Sequence, residues 1–194
     1  MVRLTKRHLG RDIEDLPIPL FCISTNISRA QVNIHEAGAI WRAVAASAAL
    51  PGVLPPMVHE GELAVDGAIL NNLPVDIMQA KPVGHIVAVE LSVRESSLID
   101  YDRLPSPWRV LLSRLLPFGR RLDAPGLATV VMKSTEVGTR QRVLELGARA
   151  DLLMRPPVSE SSMLRVDQFE EIVEAGYANA LGELSAWQQE ALDA

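Results

Sequence analysis

The stretch Leu63-Ala64-Val65-Asp66-Gly67-Ala68-Ile69-Leu70-Asn71-Asn72-Leu73-Pro74-Val75 decides how this chain reads. A short apolar run ends in an acid, a glycine follows, and an Asn-Asn-x-Pro turn comes soon after. A catalytic aspartate is often presented this way, on the end of a buried strand, with a glycine that lets another chain or a substrate come close. Asp-Gly is also a common turn pair, so the bare residues fit a turn cap equally well. No G-x-S-x-G nucleophile motif occurs anywhere in the 194 residues.

Working outward, Leu20 to Ser24 reads as a short strand, biased to extended geometry by Pro17 and Pro19. Gln31 to His35 alternates like a second strand. Ala39 to Leu50 is an alanine-rich helix, ended by Pro51-Gly52. Its small residues would let it lie very close to a sheet. Glu62 to Val65 is a strand with Asp66 at its carboxyl end, and Glu60-Gly61 before it looks like a hairpin turn. Pro74 to Ala80 opens as a short helix. His85 to Ser92 is the clearest strand pattern, and Ala150 to Met154 is another short strand. Leu127 to Ala148 and Asp167 to Leu192 are long helices, the second with Asp167 as N-cap and Glu170 three residues on. Strands alternating with helices predict an α/β fold with a mostly parallel sheet, where functional groups gather at the carboxyl ends of strands. The length predicts one domain over residues 1–194.

Composition narrows the function. Hydrophobic residues make up 48% and charged residues 22%, ordinary for a globular protein. A net charge of −5 argues against nucleic acid as the main partner, since phosphate binding needs a basic excess. The single Cys22 lies in an apolar run and reads as a buried structural thiol, consistent with a reducing compartment. Four scattered histidines lack metal-ligand spacing, so neither metal nor cofactor is expected. No apolar stretch reaches transmembrane length and no apolar region follows the basic N-terminus, so a cytoplasmic location is expected, with a peripheral place at the inner membrane face as the alternative. The segment Trp108, Arg109, Leu111, Leu112, Arg114, Leu115, Phe118, Arg120 and Arg121 is amphipathic and locally basic. An interfacial membrane contact or a packed surface helix would both use it.

The order of Leu16-Pro17-Ile18-Pro19-Leu20-Phe21, Thr25-Asn26, Trp41-Arg42-Ala43-Val44-Ala45-Ala46-Ser47, Leu54-Pro55-Pro56, Val65-Asp66-Gly67 and Asn71-Asn72-Leu73-Pro74 resembles the second half of a patatin-like phospholipase domain. It is most similar to the neuropathy target esterase branch, and the strong part covers about residues 15 to 95. The resemblance implies a partial three-layer sandwich lacking the N-terminal nucleophile half. It implies a serine lipid acyl hydrolase working through a Ser–Asp dyad, with lipid or lysophospholipid as substrate. Asp66 matches the dyad aspartate, supported by the turn residues Gly67, Asn71 and Asn72. The family's glycine-rich oxyanion loop and G-x-S-x-G elbow precede the matching region, and Met1 begins after the point where the nucleophile would come. Position 68 is Ala where the family commonly has Gly.

A serine hydroxyl needs a base to accept its proton, and an aspartate suits this when burial raises its pKa. No histidine is required, so His59 is expected to be a bystander. Ser47 is read as a packing residue, Asn71 and Asn72 as loop-holding side chains, and Asn26 as a brace under the site. Three expectations remain open: part of a hydrolase inactive without its nucleophile half, a non-catalytic remnant or lipid-binding module, or one half of a split enzyme whose partner chain carries G-x-S-x-G.

Overall fold

The computed structural model describes residues 9–91, 127–157 and 168–193. Two hairpins build its main sheet. Strand β1 (Cys22–Asn26) turns through four residues into β2 (Gln31–His35), with Ser24 opposite Asn33 and Cys22 opposite His35. Strand β3 (Met57–His59) turns through Glu60-Gly61 into β4 (Glu62–Asp66). Glu60 (φ 51°) and Gly61 (φ 82°) are both left-handed, the geometry of a two-residue type I′ hairpin turn. The hairpins join through β1 and β4, which run antiparallel with Ser24 opposite Asp66, giving the order β2-β1-β4-β3.

The expected mostly parallel sheet is therefore corrected: the four-stranded sheet is antiparallel throughout. Within each hairpin the reason lies in the connection. Links of two and four residues can only return a strand alongside its predecessor, whereas a parallel neighbour needs a crossover of a dozen residues or more. The one parallel pair among the described residues has such a crossover. Strand β5 (Val87–Val89) pairs with β6 (Leu152–Met154), and α3 (Leu127–Gly147) lies between them in sequence. The chain is thus mixed α/β. The strand expected over His85 to Ser92 spans three residues, and β3 was hidden behind Pro55-Pro56.

Helix α1 (Ile40–Ser47) lies against β1 and β4. Ala43, Ala45, Ala46 and Ala49 are all buried to 3% exposure or less, so the alanines supply close approach rather than bulk. Ser47 ends this helix half-buried, as a packing residue would. Ile13, Ile40 and Ala43 form a small core into which Leu16, Val44 and the half-buried Cys22 fit. A second core joins α2 (Val75–Gln79), α3 and the parallel pair through Leu73, Val75, Ala88, Val143 and Leu146. Helix α4 (Phe169–Asp193) follows; its expected N-cap Asp167 lies outside the described residues. One sheet face carries Ile34, Val58 and Leu63 at 47%, 65% and 42% exposure. The amphipathic segment with Trp108, Arg109, Leu111, Leu112 and Phe118 lies outside the described residues.

Candidate functional site: an aspartate at the end of strand β4

Asp66 is the last residue of β4 and the N-cap of a 3-10 turn over Gly67–Ile69. Its backbone N–H donates to the Ala49 carbonyl (3.1 Å), which fixes the strand end to the exit of α1. Its carboxylate Oδ1 accepts the Ala68 N–H at 2.8 Å. The turn-cap reading of the Asp-Gly pair is realised, because the carboxylate caps the turn with one oxygen. Among the described residues that is the sole hydrogen bond to the carboxylate, so the second oxygen is left for another donor. Ala at position 68 does not disturb the turn, since its N–H is what the turn uses.

Burial pushes the Asp66 carboxyl above its usual range, and the Ala68 N–H only partly offsets this. Desolvation penalises the charged form, so the site strengthens aspartate as a base. Gly67 explains why the turn is so tight. A Cβ there would lie 2.7 Å from both Cγ1 and the carbonyl oxygen of Ile23 on the neighbouring strand. Only glycine fits that approach.

The two asparagines separate. Asn71 is buried to 1% exposure; its N–H donates to the Gly67 carbonyl (3.0 Å), and its Nδ2 donates to Asp76 Oδ1 at 2.9 Å. Asn72 is exposed. Asn26 braces a loop rather than a site floor. Its Oδ1 accepts from the Ser28 and Arg29 N–H groups (3.0 and 3.1 Å), and its Nδ2 donates to Glu62.

The sequence reading missed a polar cluster beside Asp66. Ser24, its cross-strand partner, is fully buried, and Ser24 Oγ lies 2.8 Å from His35 Nε2. Asn33 Nδ2 donates to the same hydroxyl at 3.4 Å. The His59 ring meets the His35 ring edge-on, with centroids 4.6 Å apart. Burial first, then the neighbouring His59, pushes the His35 pKa down against the opposing pull of Glu60, so the imidazole is held neutral. Hairpin register was the available signal. A four-residue link pairs Ser24 with Asn33 and places His35 diagonally across the same face, within reach of a long side chain. Ser24 has zero exposure and an occupied hydroxyl, so this Ser–His contact is structural. Among the described residues, no group of three His, Cys, Asp or Glu side chains gathers to hold a metal. No described helix is long and apolar enough to cross a membrane.

The patatin-like phospholipase family model matches residues 7–78, a span that runs from before β1 to α2 and contains Asp66, Gly67, Asn71 and Asn72. Lysophospholipase NTE1 of Debaryomyces hansenii is 35% identical over 181 residues, covering 92% of this chain and 12% of that protein. Lysophospholipase NTE1 of Candida albicans is 34% identical over 179 residues, covering 91% and 13%. Patatin-like phospholipase domain-containing protein 7 of Rattus norvegicus is 32% identical over 182 residues, again covering 91% and 13%. The chain thus spans 12–13% of the length of these relatives. Residues 7–78 carry the patatin-like phospholipase match, and nearly the whole chain is homologous to the lysophospholipase NTE1 and domain-containing protein 7 sequences.

Proposed function

We propose that this chain is the C-terminal portion of a patatin-like serine lipid acyl hydrolase, a lysophospholipase in substrate class, and that Asp66 is the base of its Ser–Asp dyad. The observation that carries the reading is the state of Asp66. It stands at the carboxyl end of β4 with its basicity raised by burial, one carboxylate oxygen holding the turn and the other without a partner among the described residues. The family match across the same residues supports it.

In the proposed reaction that second oxygen accepts the proton of a serine hydroxyl. The serine oxygen then bonds to the ester carbonyl carbon, and the resulting oxyanion needs N–H donors. Collapse breaks the ester C–O bond and expels the glycerol-side alcohol, which takes the proton from Asp66. Water, deprotonated by the same carboxylate, then adds to the acyl-serine carbonyl carbon; collapse breaks the acyl C–O(Ser) bond, releases the fatty acid and returns the proton from Asp66 to the serine oxygen. Neither the G-x-S-x-G serine nor a glycine-rich oxyanion loop occurs in the 194 residues, so this chain by itself is inactive. Both groups come from polypeptide beyond it, as a preceding segment or a second chain.

The test is fluorophosphonate labelling of the chain alone and of the chain joined to the polypeptide encoded immediately upstream. The reading expects no label on the former and stoichiometric label on a G-x-S-x-G serine in the latter. Labelling of the chain alone overturns it, and so does the absence of label both with the upstream polypeptide and with a second chain bearing G-x-S-x-G.

A further inference from the structure

Beyond the dyad itself, we infer that Asn71, Asp76 and Arg142 form a positioning relay that fixes the Asp66 turn to helix α3, so that Arg142 sets how deeply the Asp66 carboxylate is buried. The inference rests on Asp66 being the functional carboxylate, but its test does not use activity.

The relay is continuous. The Gly67 carbonyl, one residue from Asp66, accepts the Asn71 N–H at 3.0 Å. The Asn71 side chain donates through Nδ2 to Asp76 Oδ1 at 2.9 Å. Asp76 accepts on its other oxygen, Oδ2, from an Arg142 guanidinium nitrogen at 2.9 Å. Asp76 sits on α2 and Arg142 on α3, and α3 also packs on the 3-10 turn itself. Asn71, five residues before Asp76, and Arg142, 66 residues after it, thus meet on one carboxylate. Burial opposes ionisation of Asp76, but the donors from Asn71, Ile77 and Arg142 outweigh it and hold the carboxyl below its ordinary range. It is therefore an anion at any pH where Asp66 would act.

The orientation of Asn71 is dictated from that side. An amide facing a carboxylate must present its nitrogen, so Oδ1 points away. Oδ1 is buried and has no hydrogen-bond partner among the described residues. An orphaned buried acceptor is destabilising, so a purely packing role would be better filled by an apolar side chain. An amide is explained if its N–H₂ is what the site needs, as the link between Gly67 and the Asp76–Arg142 pair.

The experiment is an NMR titration of the Asp66 carboxyl in the whole 194-residue chain. It compares wild type, Arg142→Gln, Arg142→Lys, and Arg155→Gln as a control at a remote pair, Arg155–Glu90. The sign discriminates. Loss of a nearby cation by its field alone would push the Asp66 pKa up. Loosening the turn admits water and relieves the desolvation that raises it, so the relay predicts a downward move toward the ordinary aspartate value in Arg142→Gln. Arg142→Lys restores the wild-type titration, and Arg155→Gln leaves it unmoved. Hydrogen exchange of the Ala68 amide should quicken about tenfold in Arg142→Gln, the loss of one charge-assisted bond. Asn71→Leu, checked for folding by its amide spectrum, should match Arg142→Gln. An upward or null shift in Arg142→Gln overturns the relay, as does Arg142→Lys behaving like Arg142→Gln. If the relay holds but Asp66 is not the base, the titration result stands while the hydrolysis test fails.

Discussion

Gly67→Ala is the substitution whose cost the structure specifies most fully. The added methyl would sit 2.7 Å from Ile23 Cγ1 and 2.7 Å from the Ile23 carbonyl oxygen, well inside van der Waals contact. The side-chain atom could move by a rotamer change. The carbonyl cannot, because β1 is held in register by β2 on one side and β4 on the other. Relief must come from shifting the 3-10 turn, which carries the Ala68 N–H that Asp66 accepts. Overpacking of this kind costs about 1–3 kcal/mol, and for a domain of this size each kcal/mol lowers Tm by about 2–4 °C. The expected drop is therefore about 2–12 °C. Gly84→Ala is the matched control. It has open space within 4 Å and an ordinary φ, so it should stay within about 0.5 kcal/mol of wild type. Thermal melts followed by circular dichroism, with urea melts for the free energies, measure both. If Gly67→Ala melts with the wild type, the close approach of this turn to β1 is wrong.

Other expectations follow from the same environment. Asp66→Asn keeps an oxygen for the Ala68 N–H but removes a charge that burial disfavours, so it should stabilise the fold at neutral pH. The sign is that of a carboxyl whose folded pKa is raised. Wild type carries the penalty above the folded pKa, and it fades as pH falls through that value toward the unfolded one. The gain from Asp66→Asn should therefore be full at pH 7 and absent near pH 3, as read by urea melts across pH. Ser24→Ala should cost about 1–3 kcal/mol by leaving His35 Nε2 buried without its partner, and should not alter serine labelling; a loss of label would reassign Ser24. Replacing Leu111, Leu112 and Phe118 with Ser should abolish co-sedimentation of the chain with anionic vesicles, and unchanged binding would dismiss that segment as a membrane contact.

The sequence disclosed this site unevenly, for physical reasons. Asp66, Gly67 and the hairpin turn at Glu60-Gly61 were legible because each depends on local chemistry: a capping carboxylate, a missing Cβ, and two left-handed residues. Helix α1 was legible because alanine both favours helix and permits close packing. Strand direction was not. Apolar runs announce strands but not their neighbours; the shortness of the links at residues 27–30 and 60–61 carried the antiparallel outcome within each hairpin only, and nothing local carried the pairing of β1 with β4. The Ser24–His35 contact depends on register across two strands, and the Asn71–Asp76–Arg142 chain on a helical residue 66 positions beyond Asp76. Hairpin register offered the first, and no local pattern encodes the second. The roles of Asn71 and Asn72 looked alike in sequence and differ because one faces the core and the other solvent.

The most direct test of Asp66 as the dyad base is the rate of lysophosphatidylcholine hydrolysis by the protein carrying both this chain and its G-x-S-x-G segment. Wild type and Asp66→Asn should be compared at equal folded concentration. With Asp66 as the base, kcat/KM falls about 10²–10⁴-fold, the usual contribution of a general base, in a variant at least as stable as wild type. Hydrolysis by Asp66→Asn at the wild-type rate would contradict it, and Asp66 would then be a turn cap alone.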